Sequence, residues 1–287
     1  MAVRKPTVAG QFYEASSLKL EKQISDCFTH DKGPGELPTK RGTKPLKAII
    51  SPHAGYTYSG PCAAWGYKEI AESKLPDTYI LLGVDHTGCG RTALSTDSWE
   101  TPLGIVRIDN ELAAALVKKA NIPDDSSAHD MEHSIEVQLP FLQFANKADM
   151  EKMRILPITV SHDRDLKVLA VDIMETVMDL NRSVTFIASS DFTHYGRNYR
   201  YLPFTSDVPN RLQALDEGAI KLIKVLDSEG FQSYIKDTMA TICGTQTIGL
   251  LLNLLKKTKG ELLQYYTSGD LSGDYKNAVG YASIAFR

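Results

Sequence analysis

Short apolar runs alternate with amphipathic stretches along this chain, and three of the runs share a further property. Ala48-Ile49-Ile50-Ser51 is stopped by Pro52 and followed by His53. Tyr79-Ile80-Leu81-Leu82-Gly83 leads through Val84-Asp85 to His86, and Val184-Thr185-Phe186-Ile187-Ala188 leads through Ser189-Ser190-Asp191 to His194. A continuous apolar run bounded by turn residues reads as a strand covered on both faces. Each run therefore predicts a strand that delivers a histidine beyond its carboxyl end. In open α/β sheets ligands gather there, so parallel, neighbouring strands would bring the three imidazoles together.

Between these runs the period becomes helical. Leu18, Leu20, Ile24 and Phe28 share a face behind Ser16 or Ser17 as cap, and Ala64, Tyr67 and Ile70 do so within residues 61–73. Asp109 or Asn110 opens a helix through Ala120, and residues 164–180 are amphipathic. Residues 129–139, ahead of Pro140, also read as a helix, which would put His129 with His133 and His133 with Glu136 on shared faces. Residues 208–226, 228–239 and 247–257 complete the helical set, the last behind a compact turn, Ala240-Thr241-Ile242-Cys243-Gly244.

Further strands are predicted at 154–160, 261–267 and 279–286, the last two separated by a glycine-containing loop at 268–277. Short β pieces at 94–107 are broken at Pro102 and Gly104. Residues 8–13 should be extended, and residues 31–45, rich in Gly, Pro, Lys and Thr, should form a surface loop. Alternating strands and helices, with no repeat and no break in composition, predict the α/β class. The expectation is a single three-layer α/β/α domain over 1–287 with a mostly parallel or mixed central sheet.

Composition narrows the partners. With 43% apolar residues, the 287-residue chain can bury a large core; 32 basic against 35 acidic residues give a net charge of −3, with a pI near 6.2. Nothing in that balance suits nucleic acid or an anionic membrane. No apolar segment reaches the roughly 18 residues that span a bilayer, and Met1 to Pro6 lacks the apolar stretch of a signal peptide. A cytoplasmic protein with a small-molecule or peptide partner is expected. Cys27, Cys62, Cys89 and Cys243 are scattered without a CxxC pair, as reduced thiols are.

Neutral imidazoles at strand ends suit iron, copper or zinc, and a thiolate at a turn adds a soft anionic donor. His53, His86 and Cys243 make such a set, leaving coordination positions for substrate, dioxygen or water. His194 beside Asp191 would then act as acid or base, with the carboxylate fixing its tautomer, a role worth about two to four decades in rate. Plainer readings stand beside these. A single histidine in a loop is usually an ordinary polar residue, Cys243 can be a small buried hydrophobe, Asp191 a helix cap, and His133 with Glu136 a solvated helix face. His30 and His162 read as surface residues. No G-x-S-x-G elbow surrounds Ser189 and Ser190, residues 244–249 lack the glycine spacing of a phosphate loop, and HExxH is absent.

Six ordered segments carry a family resemblance: Val8-Ala9-Gly10-Gln11-Phe12-Tyr13, the stretch from Pro52-His53 to Ser59-Gly60, Gly83-Val84-Asp85-His86, Glu132-His133-Ser134-Ile135-Glu136, Ser189-Ser190-Asp191-Phe192-Thr193-His194 and Thr241-Ile242-Cys243-Gly244. Together they resemble the motifs of the Memo family, which is similar in fold to the class III extradiol, or LigB-type, dioxygenases. The resemblance implies a LigB-like α/β/α fold with metal ligands at His53, His86 and Cys243. It implies catalytic roles for His194, Asp191 and His133, and substrate contacts from Tyr58 and Phe12. Animal members are described as signalling adaptors in growth-factor-driven motility, with iron or copper binding and a redox role.

Two departures qualify what is carried over. Extradiol enzymes use a carboxylate where Cys243 falls, and a thiolate binds Fe(II) more covalently or favours Cu(I). Phe12 stands where animal Memo proteins have tryptophan. The first expectation is an Fe(II)-dependent dioxygenase acting on a catecholic diol. The second is an iron- or copper-binding redox or signalling module that receives a peptide or anionic ligand near Arg197, Arg200 and the tyrosines at 195, 199 and 201. A zinc hydrolase comes third.

Overall fold

The apolar runs become the middle of one mixed sheet. In the computed structural model, which describes residues 2–287, the strands are β1 (Val3–Arg4), β2 (Ala48–Ser51), β3 (Thr78–Val84), β4 (Ala93–Leu94), β5 (Ser98–Thr101), β6 (Gly104–Ile108), β7 (Arg154–Val160), β8 (Val184–Ser189), β9 (His194–Gly196), β10 (Gly260–Thr267) and β11 (Asn277–Phe286). Their order is β1-β5-β6-β7-β3-β8-β2-β11-β10, with β4 paired to β7 and β9 to β11. The run β6-β7-β3-β8-β2 is parallel throughout, and β11 lies antiparallel to both β2 and β10. The three histidine-bearing strands are thus parallel neighbours, β8 in the middle, with Ile187 flanked by Leu81 and Ile49. All of β2 is buried, which is why it reads as an unbroken apolar run.

Helices α1 (Ser17–Thr29), α2 (Tyr56–Ala71), α3 (Asn110–Lys119), α4 (Gln138–Ala145), α5 (Leu166–Asp179), α6 (Val208–Lys224), α7 (Ser228–Thr238), α8 (Thr245–Leu254) and α9 (Ser268–Ser272) flank the sheet in an α/β/α arrangement. α1, α2 and α4 pack on one another, with α2 against β2, β10 and β11. α3, α5, α8, α7 and α6 form a second series of contacts, in which α8 meets β3 and β8 while α6 meets β10 and β11. Among the described residues, no helix is long and apolar enough to cross a membrane.

Four expectations are corrected. Residues 129–137 are not helical. They form turns, and α4 begins only at Gln138, so Pro140 lies in a first helical turn, where its missing N–H is no loss. What holds 129–137 out of a helix is Arg4, whose guanidinium bonds the carbonyls of His129 (2.8 Å) and Glu132 (2.8 Å) and the Glu136 carboxylate (2.7 Å). His129 and Glu136 are accordingly buried rather than solvated. Residues 8–13 are likewise not extended but turned: Gly10, at φ +83°, donates to Tyr13 O, and Phe12 donates to Val8 O. That turn is docked on Glu136, which accepts bonds from the backbone N–H of Thr7 and Val8 and from the Tyr13 hydroxyl. Lastly, α2 starts five residues before Pro61, and the loop at 268–277 contains α9.

Candidate metal centre

His53 and His86 each leave the sheet two residues beyond a strand end, and buried polar groups fix both rings. The N–H groups of His53 and Ala54 donate to Asp191 Oδ1 (2.8 and 3.3 Å), tying the ends of β2 and β8 through one carboxylate. His53 Nδ1 lies 2.8 Å from Ser189 Oγ. The Ser189 hydroxyl spends its proton on Ser134 O (2.7 Å) and accepts from Gln138 Nε2 (2.8 Å), so towards His53 it can only accept. His53 therefore carries its proton on Nδ1 and leaves Nε2 unprotonated, facing Cys243 Sγ and able to donate its lone pair to a metal. The Tyr67 hydroxyl, bonded to Gln138 Oε1 at 2.7 Å, extends the chain into the core.

Glu132 does the same for His86. It accepts the His86 backbone N–H at 2.7 Å and faces His86 Nδ1 at 3.0 Å. Burial alone would raise this carboxyl, but its bonds to His86 and to the Ser134 N–H outweigh burial and hold it at about 2. An ionised carboxylate only accepts, so His86 is also protonated on Nδ1 with Nε2 free, the arrangement in which a carboxylate orients a metal-binding imidazole.

The third imidazole beside them is His133. One ligand nitrogen from each of His53, His86 and His133 lies within 4.8 Å of the others. The His133 ring stacks on His86 with centroids 4.7 Å apart and 12° between planes, and Phe12 meets its other neighbourhood edge-on at 4.9 Å. Gly83 makes this approach feasible, because a Cβ there would lie 2.5 Å from Ile135 Cγ1 and 3.0 Å from Ser134 Oγ. Burial, helped by the neighbouring imidazoles, pushes His53 well below the usual histidine range, and His133 is lowered for the same reasons. Neutral rings with free ring nitrogens fit a divalent transition metal.

These residues floor a cavity of about 590 Å³, whose walls include Asp191, His194, Tyr58, Tyr199 and Tyr281. A family model described as "Memo-like protein" matches residues 4–285. The chain belongs to the Memo family. A MEMO1 family protein of Methanopyrus kandleri is 43% identical, covering 99% of both chains, and one of Methanothermobacter thermautotrophicus is 37% identical over 99% of this chain and all of its own. A solved structure of an uncharacterized protein from Escherichia coli K12 aligns with a TM-score of 0.49 at 13% identity, over 84% of this chain and 99% of that one.

In this Memo chain, Cys243 touches one of the three imidazoles, His53, but lies outside their cluster. Its Sγ is 3.2 Å from His53 Nε2 and accepts the Asp191 N–H at 3.1 Å, while burial raises the thiol well above its ordinary value. It lines a second cavity, of about 620 Å³, together with Val84, His162, Ile242 and Thr245. The 3.2 Å contact is a hydrogen-bond distance between the thiol and the ring nitrogen, and the same sulfur would be a soft donor to a metal held by His53. Asp191 is buried, and burial raises its carboxyl against the charge of His194 and the N–H groups of His53 and Ala54.

His194 reaches the cavity, but its tautomer is set by two carbonyls rather than by Asp191. Its Nδ1 is 3.1 Å from both Phe192 O and Thr241 O, which can only accept. Phe12 and Tyr58 line the cavity as expected. Arg197 does not; it is exposed on the short turn that carries Tyr199 to the wall. The sequence reading passed over Glu132 and Gln138, whose importance lies in what they hold in place. A carboxylate directly before a histidine, in a stretch ahead of a helix-opening proline, was the one signal for Glu132.

Proposed function

We propose that this Memo chain holds a redox-active divalent metal on His53 and His86, ferrous iron first and copper second, and opens a small catecholic diol with dioxygen. His133 and Cys243, on either side of His53, are the two candidates for the third donor. The observation that carries this reading is the cluster of imidazole nitrogens within 4.8 Å, two of them pre-set by Ser189 and Glu132, at the floor of a cavity of about 590 Å³. That volume suits a small ligand.

Bound ferrous iron would supply the one-electron chemistry that lets a diol and dioxygen react. Both oxygen atoms enter the ring-opened product, so no outside reductant is needed. The chain's own part is to bind and to move protons. His194, with Nδ1–H committed to two carbonyls, presents Nε2 as a base for a diol hydroxyl and can return that proton later. Phe12, Tyr58 and Tyr281 offer aromatic faces and exclude water from the ring.

The Cys243 contact with His53 supports a second reading, a copper-binding redox module without turnover, since a thiol is a soft ligand. Protein purified without oxygen should hold stoichiometric iron in the wild type and none in His53→Ala. Comparing His133→Ala with Cys243→Ala identifies the third donor. Iron-loaded protein given catechols and oxygen should form a yellow ring-opened product; none across a broad panel would refute the enzymatic reading, and preferential retention of copper would support the second.

A further inference from the structure

The turn that carries Asp191 and His194 has four consecutive backbone N–H groups, and each is held by a residue outside it, two of them from the turn at 240–244. Asp191 N–H goes to Cys243 Sγ (3.1 Å), Phe192 N–H to Gly280 O (2.8 Å), Thr193 N–H to Asp216 Oδ1 (3.1 Å) and His194 N–H to Thr241 Oγ1 (3.0 Å). Three of these anchors keep one form near neutral pH. Asp216 is the exception. It projects from α6 and is fully buried. Its Oδ1 also accepts the Thr193 hydroxyl at 2.5 Å, and its Oδ2 accepts the Tyr265 hydroxyl at 2.8 Å.

We propose that Asp216 is a positioning residue for the Asp191–His194 turn, gripping it while ionised and slackening it on protonation. The inference deepens the proposed function and rests on the role given there to His194. Three donors converge on a group that, as a carboxylate, only accepts. Adding a proton turns one of its oxygens into a donor; the hydroxyls of Thr193 and Tyr265 can rotate to receive it, but the Thr193 N–H cannot, so the grip weakens. Among the described residues no cation opposes the charge. The titratable groups facing Asp216 are Tyr265 from β10, Tyr234 from α7 and Tyr201 from the segment after His194, with Glu217 beside it on α6. β11 presents only Gly280, where a Cβ would overlap Asp216 Oδ2. Burial therefore dominates and raises the carboxyl to about 6, against the three hydrogen bonds.

The test uses metal-free protein, so a missing metal or missing turnover does not bear on it. Backbone amide NMR signals are followed from pH 5 to 8. The Thr193 amide shift should titrate with a midpoint near 6, and the His194 backbone amide, the next N–H of the turn, should show a step with the same midpoint. In Asp216→Asn both steps should vanish. Tyr265→Phe, which removes one donor and serves if the first variant does not fold, should move both midpoints upward. The inference is overturned if the Thr193 amide does not titrate. It is equally overturned if the Thr193 amide titrates while the His194 amide stays still, because Asp216 would then be a structural residue only.

Discussion

Arg4→Ala removes the cation that faces the buried Glu136 carboxylate, and the structure lets the cost be worked out. The Arg4 and Glu136 side chains are 5% and 0% exposed and meet at 2.7 Å. The guanidinium also bonds two backbone carbonyls and lies 4.1 Å over the Trp99 ring. Taking away one member of a buried pair leaves a charge without compensation, which costs about 3–5 kcal/mol. At about 2–4 °C per kcal/mol for a chain of this size, the melting temperature should fall by about 10 °C.

The sign with pH is fixed as well. Burial works to raise Glu136, but the Arg4 charge and the N–H groups of Thr7 and Val8 hold it below the usual range. Stability from this depressed carboxyl is complete above its unfolded value and lost as pH falls through the folded one. The gap between wild type and Arg4→Ala should therefore be full at pH 7 and narrow below about pH 4. Calorimetry and denaturant melts at both pH values measure it. A loss under about 1 kcal/mol at pH 7, within the range of exposed ion pairs, or a gap unchanged at pH 3, would refute the reasoning.

Other expectations follow from the same geometry. Glu132→Gln takes the anionic partner from His86 and should weaken metal binding about 10- to 100-fold by titration calorimetry; unchanged affinity would remove Glu132 from the centre. Because Glu132 is held at about 2 from an ordinary value of 4.5, it contributes about 3 kcal/mol above pH 5 that disappears as pH falls towards 2; Glu132→Gln melts should lack that slope. Gly83→Ala pushes a methyl group into Ile135 and Ser134 and should cost about 1–3 kcal/mol, together with metal affinity through His133; a neutral effect on both would show that the segment is free to move away.

The central strands β2, β3, β7 and β8 were legible because each is covered on both faces and so reads as a nearly unbroken apolar run. His53 and His86 were legible because they follow such runs directly. The segment 129–137 was not, since its shape depends on Arg4, some 125 residues away, and no local pattern reports that partner. Taking it for a helix put His133 on one face with His129 and Glu136, whereas its turns bring the ring onto His86. Of Arg197 and Tyr199, neighbours on one short turn, Tyr199 lines the cavity while Arg197 is exposed, a difference that spacing alone does not report. Asp216 left no signal at all, because an acid inside an amphipathic helix looks solvent-facing until β11 and β10 close over it.

The bonds that build the centre are also a timetable. His86 and its carboxylate are 46 residues apart, but His53 and Ser189 are separated by 136 and His53 and Cys243 by 190. A ribosome releases His53, His86 and His133 long before it makes the serine that sets the His53 tautomer, and the partner strand of β2 comes last, pairing Ala48 with Phe286. Contacts of such separation form late and slowly. Where a small zinc domain folds around its ion, the candidate ligands here are brought together by contacts that span most of the chain, so an ion on them would board only after the doors have been built.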